Sequence, residues 1–340
     1  MSRVRRALTL RALAVVAMVA VVASSAGCGS DGDDSGDGGD PGNDGAVTDG
    51  GAPDASVASD AARPRLPRGS YPLMLQAGAF TPVAGHPNAL VVIPQGFDPT
   101  PPLAVIVYIH GFENCIENVV RDVGQACTTG GPVRGASNLT AQLEASGKNA
   151  LLLLPEVAFD QRSGATGKLG NLNGLRDLVA EALTALATPL GAGRTVADLG
   201  KVLVVSHSGG YTVAAAVARR GGIPISEVHL LDSLYGLSSD FEAWALSDTA
   251  GLTGSPPRRR FADVYTTSGG TLANSEALAD RARTWVPGMP DVFIDDRTTA
   301  TWTDDRFRHG LLFKHSALSH DGVPRYYFEK LLTNSDLPAR

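Results

Sequence analysis

Short apolar runs recur along this chain from about Tyr71 to the C-terminus, mostly divided by turns and by segments of helical spacing. Ala89–Ile93 predicts a strand, followed by a turn in Pro-Gln-Gly-Phe-Asp-Pro. Leu103–Ile109 (Leu-Ala-Val-Ile-Val-Tyr-Ile) is almost wholly apolar, the pattern of a strand buried on both faces. Ala150–Leu154, Val202–Val205, Val228–Leu231, Phe261–Thr267 and Val292–Ile294 predict further strands, and Leu311–Ala317 is another candidate. Helical spacing covers Leu139–Ser146 (stopped by Gly147), Leu175–Leu186, Thr212–Ala218, Ala273–Thr284 and Pro324–Leu332, the last with proline in its first turn. Strands alternating with helices imply right-handed crossovers and an α/β fold with a mostly parallel sheet covered on both faces. Ligands of such sheets sit beyond the carboxyl ends of the strands, so residues just after each strand carry the interest.

The N-terminus has a different pattern. Arg3, Arg5 and Arg6 precede the apolar run Ala12–Ala23, and Ser25-Ala26-Gly27 supplies small residues before Cys28. The run is short for a membrane span and has the flanks of a signal peptide. Small-small-Cys resembles a bacterial lipoprotein signal, which would leave Cys28 as a lipidated N-terminus, although Ser25 replaces the usual leucine. Ordinary cleavage nearby, giving a soluble secreted protein, is the alternative. Arg5-Arg6 fits a twin-arginine signal poorly. Gly29–Asp60 holds nine aspartates with no Lys, Arg or Glu and has little to bury, so it is expected to be a disordered tether. Asp31, Asp33 and Asp34 crowd together without the spacing of a rigid calcium loop. The expected organisation is therefore a signal peptide at 1–27, a tether at 28–66 and a catalytic domain at 67–340, held by a lipid on Cys28 to a membrane facing the periplasm or cell exterior.

Charge follows the same division. The whole chain carries −6; the first 27 residues contribute four arginines and no acids, and the tether carries nine negative charges, so the domain is near −1. A near-neutral domain has no basic footprint for nucleic acid. Beyond Cys28 the cysteines are Cys115 and Cys127, with eleven residues between them in the region after one strand. In an oxidising compartment they are expected to form a disulfide. A metal pair is the rival, but no histidine or acid cluster of suitable spacing accompanies them. The sequon at Asn138 carries no weight in a bacterial chain.

The sharpest chemical signal is Val202–Tyr211, Val-Leu-Val-Val-Ser-His-Ser-Gly-Gly-Tyr. An apolar strand ends at Ser208 and a small-residue helix begins at once. A strand-to-helix turn lifts a serine hydroxyl clear of its surroundings, and small residues two positions to either side let the backbones pack closely. Those positions are Ser206 and Gly210, so the pattern is Ser-x-Ser-x-Gly in place of Gly-x-Ser-x-Gly. A simple Gly/Ser turn is the plainer alternative; the flanking strand and helix favour a nucleophile. His110-Gly111-Phe112 ends an earlier strand, where a glycine lets the next amide point at a substrate oxygen. The Phe112 and Gly209 amides are the expected oxyanion donors, supported by His110 and Gly111; a structural histidine in a turn is the alternative. Asp232 ends the strand Val228–Leu231 and is the candidate acid, with Asp295 and Asp296 as competitors. His320, before the last helix, is the candidate general base, with His309 and His315 as competitors. His207 is expected to point away from the apex and is left out of catalysis.

The order Ser208, Asp232, His320, with His110-Gly111 upstream, resembles the α/β-hydrolase superfamily over about residues 72–335. The segment from Val91 through Gly111 is similar to the corresponding region of secreted feruloyl-, acetylxylan-esterase-like and polyhydroxybutyrate-depolymerase-like enzymes. Phe112, Ser206 and the early position of Asp232 depart from their pattern. The resemblance implies a serine hydrolase with an acyl-enzyme intermediate, no cofactor and a small-molecule or polymeric carboxylic ester as substrate. A serine peptidase, or a non-catalytic surface-tethered binding module on the same scaffold, are the alternatives. The long connection Leu234–Arg260, with Phe241, Trp244 and Leu246, reads either as a cap over the site or as an excursion whose aromatics pack on the core.

Overall fold

The computed structural model describes residues 65–81, 86–157 and 165–340. The signal segment, Cys28 and the tether up to residue 64 lie outside the described residues. Nine strands form one sheet: β1 (Gly69–Leu73), β2 (Ala89–Ile93), β3 (Leu103–Ile109), β4 (Leu151–Pro155), β5 (Leu199–His207), β6 (Glu227–Leu231), β7 (Arg260–Thr266), β8 (Phe293–Asp296) and β9 (Leu311–Ser316). Their order across the sheet is β1-β2-β4-β3-β5-β6-β7-β9-β8. β2 runs antiparallel to both β1 and β4; every other pair is parallel. This is the α/β-hydrolase fold.

The helices are α1 (Ile116–Val119), α2 (Leu139–Ala145), α3 (Gly174–Ala185), α4 (Tyr211–Arg220), α5 (Ser238–Leu246), α6 (Thr249–Leu252), α7 (Leu272–Ala282) and α8 (Gly322–Thr333). The two-residue period of the strands sorts side chains onto opposite faces. From β3, Val105, Val107 and Ile109 join the core under α3, α4, α5 and α7, while Ala104, Ile106 and Tyr108 join the core under α1, α2 and α8. β5 divides likewise, with Val202 and Val204 on the first face and Leu203 and Val205 on the second. That is why both strands read as unbroken apolar runs. In α4 the buried Ala214 and Ala215 present little bulk to the sheet.

The observed elements agree with the expected ones to within a few residues, with some differences. β1 lacks a clear pattern because its residues alternate between exposed and half-buried at the sheet edge. β5 extends to His207, beyond its purely apolar portion. β9 inserts between β7 and β8, a neighbour relation that apolar spacing does not encode. The connection after β6 carries its helical part onto the core. Its helices α5 and α6 pack against the domain; Phe241 and Trp244 are buried, and the Phe241 ring lies 6.1 Å from that of Phe261 on β7. Among the described residues no helix is long and apolar enough to cross a membrane.

Candidate active site

Parallel strands β3, β5, β6 and β7 end on one edge, and the candidate residues lie there. Ser208 follows β5 directly and adopts φ of 52°, a left-handed conformation that costs a non-glycine residue on the order of 1–3 kcal/mol. A 3-10 turn, Ser208–Gly210, leads into α4. The close approach that demands small residues is explicit. A Cβ at Gly210 would come 2.7 Å from the Ile109 carbonyl oxygen, and one at Gly111 would come 2.6 Å from Ser208 Cβ. The position two before the serine tolerates a side chain because Ser206, fully buried, finds a partner. Its Oγ lies 2.9 Å from Ser233 Oγ, and Ser233 Oγ donates to the Ser208 carbonyl at 2.8 Å, so Ser206 is the donor of the first bond.

Asp232, at the end of β6, is fully buried and also left-handed, with φ of 49°. Its Oδ2 accepts from His320 Nδ1 at 2.7 Å and from Thr266 Oγ1 at 2.7 Å; its Oδ1 accepts from the Thr266 amide at 3.0 Å and from Thr271 Oγ1. Burial opposes its charge, but the bonds from His320, Thr271 and Thr266 outweigh that penalty and hold its pKa below the ordinary carboxylate value. The His320 Nδ1–H is thereby fixed, leaving the Nε2 lone pair as the basic site.

His207 does not point away from the site. Its ring centroid lies 4.6 Å from that of His320, and its Nε2 donates to the His320 carbonyl at 3.2 Å. Continued strand alternation predicted the opposite; β5 does include His207, yet its ring reaches His320, which arrives from the loop before α8. Burial, and then the neighbouring His320, push the His207 pKa down to about 3, so this ring stays neutral beside His320.

His110 is buried beneath the Gly111 turn. Its Nδ1 faces the Gly111 carbonyl at 2.9 Å and its Nε2 faces Glu156 Oε1 at 2.6 Å, while Glu156 Oε2 accepts from the Ile116 amide at 3.1 Å. Burial alone would lower the His110 pKa; the Glu156 carboxylate more than offsets this and the value is raised. The pair braces the turn carrying Phe112. Gly209 lies in the first turn after Ser208, where helix amides lack intrahelical acceptors. Just beyond, Cys115 and Cys127 form a disulfide. Directly before that loop, Asn114 Oδ1 accepts from the Cys115 amide at 2.9 Å and from Asn118 Nδ2 at 2.7 Å. Arg134, paired with Glu113, lies over the Phe112 ring.

The competitors are engaged elsewhere. Asp295 pairs with Arg283 at 2.9 Å and Arg297 at 3.0 Å. Asp296 accepts from Lys314 at 3.0 Å and from Trp302. His315 stacks on Tyr265 and bonds Thr267 Oγ1 at 3.0 Å, and His309 faces the Arg306 carbonyl at 2.9 Å. Sequence reasoning missed Tyr235. Its hydroxyl donates to the Gly269 carbonyl at 2.5 Å and its ring centroid lies 6.3 Å from that of His320; burial first, then Asp232, push its pKa up to about 12. A cavity of about 890 Å³, lined by residues such as Pro256, Arg260, Met289 and Arg308, lies at the opposite edge of the sheet and touches none of these groups.

No known family profile and no curated protein matches the chain. Solved structures do. The feruloyl esterase module of Clostridium thermocellum, in complex with sinapinate, aligns with a TM-score of 0.45 at 12% identity, covering 81% of this chain and 90% of that one. A fluorophosphonate-binding serine hydrolase of Staphylococcus aureus aligns at 0.44 and 10% identity, over 79% of this chain and 100% of the other. The S-formylglutathione hydrolase of the same organism gives 0.42 and 11%, over 79% and 94%. At these identities the likeness concerns the fold, and no substrate is read from it.

Proposed function

We propose that this chain is a serine hydrolase cleaving carboxylic esters through Ser208, His320 and Asp232. The observation that carries the reading is the bond from His320 to a fully buried, four-fold hydrogen-bonded Asp232 at the same sheet edge as a strained Ser208. In this mechanism His320 Nε2 takes the Ser208 proton as Oγ attacks the acyl carbonyl. The oxyanion rests on the Phe112 and Gly209 amides. Asp232 remains ionised and stabilises the imidazolium. His320 then protonates the leaving alkoxide, the acyl group stays on Ser208, and a water deprotonated by His320 releases it. The test treats the chain and its Ser208→Ala variant with a fluorophosphonate probe and a p-nitrophenyl ester series. Labelling should vanish and turnover fall by about 10⁴-fold or more in the variant; a variant that still turns over at the native rate refutes the assignment.

We also propose export with acylation at Cys28, supported by the N-terminal pattern and consistent with a disulfide in the domain. Labelled palmitate should enter the wild-type chain in a bacterial host and not the Cys28→Ala variant; equal labelling refutes it.

A further inference from the structure

We infer that His207, His320 and Asp321 form a binding site for a divalent cation of the zinc type, which would act as a reversible stopper of the hydrolase. The inhibitory consequence rests on the proposed function; the binding itself does not. One ligand atom from each of the three side chains lies within 4.8 Å of the others. A tetrahedral zinc with bonds of about 2.0 Å holds ligand atoms about 3.3 Å apart, so each side chain has to close by roughly an ångström. Asp321 has that freedom: it is exposed and its carboxylate makes no capping bond at the start of α8. Gly135 leaves room for its side chain, since a Cβ there would come 3.1 Å from Asp321 Cβ.

Each imidazole also has one ring nitrogen committed to an oxygen acceptor. A ligating histidine usually donates its other ring N–H to a carboxylate or backbone carbonyl, which fixes the tautomer and ring orientation. His320 does this through Nδ1 to Asp232, at 2.7 Å, and His207 through Nε2 to the His320 carbonyl, at 3.2 Å. The lone pairs left over are His320 Nε2 and His207 Nδ1. Two neutral imidazoles and one carboxylate are a zinc donor set with a fourth position open to water. A bound ion would occupy the His320 Nε2 lone pair, the one needed to deprotonate Ser208, so binding and turnover would exclude one another.

The test uses the full chain freed of metal by a chelator. Zn²⁺ binding is followed by calorimetry, and Co²⁺ by its visible absorption, which needs no turnover. One ion per chain is expected, with inhibition of ester turnover reversed by the chelator. Asp321→Asn should keep its turnover without added metal within about twofold, while losing at least about tenfold in Zn²⁺ affinity and in sensitivity to inhibition. His207→Gln should weaken Co²⁺ binding by a similar factor. No stoichiometric binding overturns the proposal, as does binding unchanged in both variants. If the chain binds Co²⁺ in an Asp321-dependent way yet cleaves no ester, the site stands and the hydrolase assignment falls.

Discussion

Substituting Ser233 by alanine tests how the elbow works without glycine at position 206. Ser206 and Ser233 are both fully buried, and the chain of bonds runs from Ser206 Oγ to Ser233 Oγ at 2.9 Å and on to the Ser208 carbonyl at 2.8 Å. Ser233→Ala removes the middle link. It leaves the Ser206 hydroxyl without an acceptor, while the Ser208 carbonyl keeps the Tyr211 amide as a donor, and a single unsatisfied buried group costs about 1–3 kcal/mol. With one such group the loss should sit near the middle of that range, about 2 kcal/mol. Ser206→Ala leaves the Ser233–Ser208 bond intact and should cost about 0.5–1.5 kcal/mol. In the double variant the stranded Ser206 hydroxyl is gone, so the two losses should fall short of additivity by about 1 kcal/mol. Urea midpoints at unchanged slope measure all four corners of this cycle. Turnover supplies an independent readout. Ser233 supplies the side-chain bond to the Ser208 carbonyl, so on the proposed mechanism Ser233→Ala should lower ester hydrolysis by about tenfold or more, while Ser206→Ala should lower it less. Strict additivity in stability, or a Ser233→Ala enzyme with native turnover, would refute this account of the elbow.

Gly111→Ala places a Cβ 2.6 Å from Ser208 Cβ, so turnover should drop by about 10²-fold or more with far-UV circular dichroism retained; a normally active variant would show that the turn is not pressed against the nucleophile. Reducing Cys115–Cys127 should lower activity with little change in far-UV dichroism and remove about 3 kcal/mol of chain-entropy stabilisation; unchanged activity would separate the disulfide from the oxyanion turn. The His110 pKa is raised because the Glu156 carboxylate overcomes burial. The pair's stabilisation is then full below the unfolded histidine value of about 6.5 and is lost as pH rises through the higher folded value. Stability followed across that window should fall in the wild type with a component that Glu156→Gln lacks; superimposable pH profiles would refute it.

The strands of the fold were legible where both faces are buried. Leu103–Ile109 is apolar at each position because alternate residues feed separate cores under opposite helix layers. Pairing was less legible. β9 is apolar enough to be noticed, yet its place between β7 and β8 depends on register with Phe261–Thr266, which no local pattern announces. The connection after β6 was ambiguous for a related reason: Phe241 and Trp244 suit a lid as well as a core, and only their burial decides.

At the site, residues ending predicted strands were found and residues acting across strands were not. Ser208, Asp232 and His110 each close an apolar run, so their position beyond the sheet edge follows from the run itself. Glu156 also follows a strand, and because β4 runs parallel beside β3, a carboxylate there faces His110; a search for charged residues just past neighbouring strands would have found it. His207 and Tyr235 carry no such signal. One meets His320 across 113 residues, and the other comes beside His320 from just past β6. Ser206 shows most clearly why the motif alone was insufficient. A glycine is needed at that position only if nothing across the sheet can receive a side chain. Here β6 runs beside β5, and Ser233 just past its end supplies a hydroxyl partner, so a polar side chain fits where the motif expects none. The requirement for smallness thus belongs to the pair of neighbouring strands, not to the pentapeptide.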